Sequence, residues 1–69
     1  MKAVIEVIEL PEMNSGDDFK RCLVDPTEPN WRSGVKCKIA LGAIDTLLEH
    51  GGQWVKVGCV LVEWVEVNR

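Results

Sequence analysis

His50 is the single histidine of the chain, and Cys22, Cys37 and Cys59 are its three thiols. A cysteine beside a histidine is the least that thiol catalysis needs, because the imidazole must take the thiol proton before the sulfur attacks. His50 has no partner whose geometry the sequence defines. Its place at the end of a helical pattern gives it a simpler role, as a favourable charge at a negative helix terminus. The cysteines are odd in number and form no C-x-x-C pair, which argues against a disulfide framework and against a structural zinc site. They read as small apolar filler in a reducing cytoplasm.

Carboxylates are the other candidates. Glu6 and Glu9 lie in an apolar segment near the start of the chain, and Glu63 and Glu66 in another near its end. If the two segments pair, the four acids gather, and paired acids can divide acid and base roles when burial splits their pKa values. The plainer reading is that they line solvated faces or edges and oppose edge aggregation. The sequence has no phosphate-binding glycine loop and no G-x-S-x-G nucleophile turn. The expectation is a protein without enzymatic activity and without a cofactor or metal.

The elements that would position these residues can be read from periodicity. "KAVIEVIEL", residues 2–10, is rich in β-branched residues and stops at Pro11. It reads as a strand with apolar residues on both faces, hence central in a sheet or covered twice. Residues 12–18 have loop composition. Residues 18–24 fit either a short helix, through Ser15 with Asp18 and Phe19 with Leu23, or a strand, through the alternation of Phe19, Arg21 and Leu23; the strand is favoured. Residues 25–34 hold two prolines and read as a loop. From residue 34 to 50 the apolar positions Cys37, Ala40, Leu41, Ala43, Ile44, Leu47 and Leu48 share one helical arc, Ser33 can cap the start, and Gly51 suits the left-handed exit. The alternation of Val35, Cys37 and Ile39 with Lys36 and Lys38 opposes the first turns.

"WVKVGCVLVEWVEV", residues 54–67, is too long for one straight strand. Its fourteen residues would run about 46 Å, against a diameter of roughly 28 Å for a domain of this size. A turn at Gly58-Cys59 resolves this. Val57 then faces Val60, Val55 faces Val62 and Gln53 faces Trp64, and glycine fits the first position of a type II′ turn. A long strand bent by a bulge at Gly58 is the alternative. The 69 residues thus predict a single α+β domain: one antiparallel sheet of three to four strands packed on a single amphipathic helix, in the order β-β-α-β-β, with the first and last strands adjacent.

At this length a lone core supplies only about 3–5 kcal/mol. No apolar run reaches the roughly 20 residues that cross a bilayer, and the acidic N-terminal stretch makes a poor export signal, so no membrane contact is expected. The net charge is −3, unevenly spread. Glu6, Glu9, Glu12, Asp17 and Asp18 form an acidic surface, whereas Arg32, Lys36 and Lys38 form a basic island beside Trp31. That island would contact an anion or nucleic acid, unless Asp25 and Glu28 neutralise it. Apolar excess is the second binding feature. One helix covers one sheet face, so Trp54, Leu61 and Val65, with Val35 and Ile39 from the polar arc of the helix, are left as candidate protein-interface residues. Loop 11–33 folded over the second face would hide them.

The functional expectation is a non-enzymatic protein-protein interaction module: a small cytoplasmic regulator or inhibitor that binds a larger protein and can form a homodimer. Short, acidic, motif-poor chains are frequent among phage and mobile-element proteins that block host machinery, anti-CRISPR inhibitors included. The alternative is a nucleic-acid-binding domain using Trp31 to Lys38.

Overall fold

A computed structural model describes residues 1–10 and 20–68. Four strands and one helix follow in the order β1 (Lys2–Glu9), β2 (Lys20–Val24), α1 (Lys38–His50), β3 (Trp54–Val57) and β4 (Val60–Val67), with a short 3-10 turn at Trp31–Gly34 before α1. All strand pairs are antiparallel, in the spatial order β2-β1-β4-β3. Among the described residues the fold is α+β, with an open sheet and a single helix. The first and last strands are neighbours, as their apolar content on both faces implies: β1 and β4 are the two central strands.

The valine-rich end of the chain is a hairpin. Val57 pairs with Val60 and Val55 with Val62, and the Trp64 amide donates to the Gln53 carbonyl at 3.0 Å. Gly58 has φ +58°, while no described non-glycine residue has positive φ. A two-residue turn with positive φ at its first position alone is type II′. The amide of Leu10 donates to the Cys59 carbonyl at 2.7 Å, which ties the end of β1 to this turn.

The core lies between the sheet and α1. Ala40, Ala43, Ile44 and Leu47 of the helix meet Ile5, Val7, Val24, Val60 and Val62 of the sheet. These strand residues share one face, because Ile5 lies opposite Val24 and Val7 lies opposite Val62. The helix rests mainly on β3 and β4. Trp31, Val35 and Cys37 complete the cover from the segment before the helix.

That segment is where the structure departs from the helical reading of residues 34–50. The α-helix starts at Lys38, and Cys37 is an extended N-cap with no side-chain hydrogen bond. Ser33 does not cap α1; its hydroxyl donates to the Asn30 carbonyl at 2.8 Å within the 3-10 turn. The strand-like alternation prevails at residues 35–37 because it turns both Val35 and Cys37 onto the core, which helical geometry at those positions would not do. Leu48, placed on the buried arc by periodicity, is exposed in the last turns. At the helix exit Gly51 has φ +74° and its amide donates to the Leu47 carbonyl at 3.0 Å, a backbone state that favours glycine.

β2 begins at Lys20, so the strand reading of residues 18–24 holds for its described part; Asp18 and Phe19 lie outside the described residues.

Candidate docking surface on the outer sheet face

Residues alternate across the strands, so the register fixes which side chains share the sheet face turned away from α1. Across its middle run Leu23, Glu6, Glu63 and Trp54, one from each strand in spatial order. The next row is Arg21, Ile8, Leu61 and Lys56. On the other side Val4 pairs with Val65 and Lys2 with Val67. This outer face therefore carries an apolar field with two glutamates at its centre and cations toward its edges. Trp54 is 61% and Leu23 50% exposed; Leu61, Val65 and Val67 are half-buried, whereas Val4 and Ile8 are buried. Trp54, Lys56, Leu61 and Glu63 bound a shallow depression of about 350 Å³.

Three of the five expected interface residues, Trp54, Leu61 and Val65, come together on this face. Val35 does not. It precedes the helix, lies on the opposite side of the sheet and packs against the core, so its place on an exposed helical arc is corrected. Ile39 is exposed in the first turn of α1, also on the helix side. Of the loop 11–33 expected to be able to cover this face, Trp31 packs on the helix side, as does Val35 after it, Asp25 meets Lys2 at the rim of the outer face, and residues 11–19 lie outside the described residues. Glu12, Asp17 and Asp18 of the expected acidic surface lie outside the described residues.

The four carboxylates on β1 and β4 do not form one cluster. Glu6 and Glu63 pair directly across the strands, while Glu9 lies opposite Val60 and Glu66 opposite Ala3, on the other face. Pairing alone could not separate them, because residue parity decides the face. Nor do Glu6 and Glu63 sit at sheet edges, since both belong to central strands. Among the described residues neither is ion-paired.

The basic island is partly consumed within the fold. The Arg32 guanidinium donates to both carboxylate oxygens of Asp45, at 2.6 and 3.1 Å, and lies 5.1 Å from the centre of the Trp31 ring. Each partner steadies the other's charge: Arg32 holds the Asp45 carboxyl below its usual range, and Asp45 raises the arginine. The expected neutralisation by Asp25 and Glu28 is thus corrected. Asp25 instead accepts hydrogen bonds from Lys2 and from the Thr27 hydroxyl and amide. These partners hold its carboxyl at about 2. Lys36 and Lys38 remain exposed at the start of α1, with the unfavourable polarity that a cation meets there.

Partial burial pushes the Cys22 thiol up, and the Glu9 carboxylate adds to the shift, which suppresses the thiolate a nucleophile requires. Cys22 and Cys37 line a cleft of about 420 Å³ with Glu9, Lys20 and Lys36; Cys59 lies in the exposed hairpin turn, and all three thiols are free. His50 is exposed in the last turn of α1. Among the described residues no group of three or more His, Cys, Asp or Glu side chains is placed to hold a metal, and no helix is long and apolar enough to cross a membrane.

Fold and surface together define a class: among the described residues, an open-sheet α+β domain with one helix, which covers one face of the sheet and leaves Trp54 and Leu23 exposed on the other. Compared with protein-family models, with curated proteins and with solved structures, the chain matches none.

Proposed function

We propose that this protein is a non-enzymatic interaction module that docks a larger protein on the outer face of its sheet, acting as a small cytoplasmic regulator or inhibitor. The observation that carries the reading is Trp54, 61% exposed beside Leu61 on an apolar field that α1 does not cover. A large rigid aromatic adds contact area at small entropic cost, which is why tryptophan concentrates in binding hot spots. Three free thiols fit a reducing compartment.

Self-association through the same face is the variant to test first, because it needs no other component. Sedimentation over a dilution series separates the cases: a concentration-dependent dimer lost on Trp54→Ala supports a homodimer, and a monomer throughout removes it. For a heterologous partner, capture from the source cell is compared between the wild type, Trp54→Ala and Lys36→Ala/Lys38→Ala. The reading expects the same protein with wild type and the lysine variant and its loss with Trp54→Ala. Retention by Trp54→Ala contradicts it.

The nucleic-acid alternative rests on Trp31, Arg32, Lys36 and Lys38. Two of these are already engaged, Arg32 by Asp45 and Trp31 by the core and by Arg32. Phosphate contacts are strongest at low salt, so a gel shift there is the test; no shift at low salt sinks this alternative.

A further inference from the structure

We infer that the partner inserts an arginine, carried within an apolar surface, between Glu6 and Glu63. The inference rests on the docking reading above and specifies the chemistry of the occupant. Side chains directly opposite on antiparallel strands have Cβ atoms about 4.5–5.5 Å apart. The two carboxylates are therefore held abreast, both half-buried, with no ion-pair partner among the described residues.

Their surroundings make the pair selective. In their own row they are flanked by Leu23 and Trp54, and in the next row by Ile8 and Leu61. A wholly apolar partner would strip water from both carboxylates and return nothing, which is costly for ionised groups. A second copy stacked on a two-fold axis through this centre would bring four carboxylates together. A cation removes both penalties. Arginine fits better than lysine, because its planar fork can address two carboxylates at once. Trp54, at the end of the same row, also offers a ring face on which a guanidinium can lie.

The test uses a phage-displayed library of random linear peptides, selected against the wild-type protein. The leading peptide is then synthesised with arginine and with citrulline, its neutral isostere. The expected result is enrichment of arginine flanked by apolar residues and a loss of affinity of at least about tenfold with citrulline. On the Glu6→Gln/Glu63→Gln variant the two peptides should bind alike and weakly. Trp54→Ala should weaken both. Circular dichroism melts confirm that each variant is folded. Equal binding of arginine and citrulline peptides to the wild type, still lost with Trp54→Ala, overturns the arginine inference and leaves the docking face standing. Peptides bound equally well by wild type and Trp54→Ala overturn the docking reading as well.

Discussion

Glu6 of β1 and Glu63 of β4 stand directly opposite each other at the centre of the outer sheet face, between Leu23 on one side and Trp54 on the other. Like charges in this position oppose folding. Cross-strand pair terms amount to about 0.2–1 kcal/mol, so Glu63→Gln should raise the unfolding free energy by a few tenths to about 1 kcal/mol. Urea denaturation measures this. A stability loss on substitution would mean that the carboxylate is held by a favourable contact.

Two apolar substitutions should behave oppositely. Ile44 is fully buried between α1 and the sheet, and Ile44→Ala should cost about 2–5 kcal/mol. That is comparable with the whole stability of a domain this small, so the variant should be largely unfolded at room temperature. Trp54→Ala, on an exposed side chain, should change stability by only about 0.5 kcal/mol. Thermal melts of the two variants check the contrast. A strongly destabilised Trp54→Ala would recast Trp54 as a structural residue.

Gly42 and Gly58 should also diverge. Gly42 lies inside α1, and a Cβ added there meets nothing within 4 Å, so Gly42→Ala should stabilise by about 0.5–1 kcal/mol. Gly58 opens the hairpin turn with φ +58°. Gly58→Ala forces an L side chain into that state and should destabilise, by about 1 kcal/mol or more. Chemical denaturation of both variants provides the test; a neutral Gly58→Ala would argue against the type II′ turn.

Acid should weaken the fold in a defined window. The Asp25 carboxyl is lowered from 3.8 to about 2, chiefly by its hydrogen bond with Lys2 and then by those from Thr27. A folded-state value below the unfolded one gives stabilisation that is present above 3.8 and lost as pH falls toward about 2. Asp45, lowered by Arg32, adds in the same direction. Melting temperature should therefore drop across this range, and Asp25→Asn should flatten the drop. An unchanged slope in Asp25→Asn would show that the Lys2–Asp25 contact does not form in solution.

Much of this architecture is written in local pattern. Gly58 between two valine alternations, with the limit that domain size sets on strand length, favours the hairpin and gives its register once the turn is placed; the β3–β4 pairing decides it against a strand bent by a bulge. Ala40 to Leu47 carry the helix in their spacing. The segment 34–37 is different, because Val35 and Cys37 suit a helix start and an extended segment equally well, and only the core they pack on decides. The outer face is legible in part. Trp54 and Leu61 share a face once the hairpin is drawn, and Val65 follows along the same strand as Leu61. The Glu6–Glu63 pair requires the register between β1 and β4, which depends on contacts distant in sequence. The same is true of Arg32 and Asp45, where a cation expected to be free finds its partner on the helix that follows it.

The outer face as the docking surface is tested most directly through the three tryptophans, which report on three environments: Trp54 on the outer face, Trp64 half-buried on the helix side, and Trp31 beneath Arg32. Labelling with 5-fluorotryptophan gives each a fluorine resonance, assigned by single Trp→Phe variants. On titration with a selected arginine peptide, the Trp54 resonance should shift and broaden while those of Trp31 and Trp64 stay in place. Movement of Trp31 with Trp54 unchanged would contradict the account.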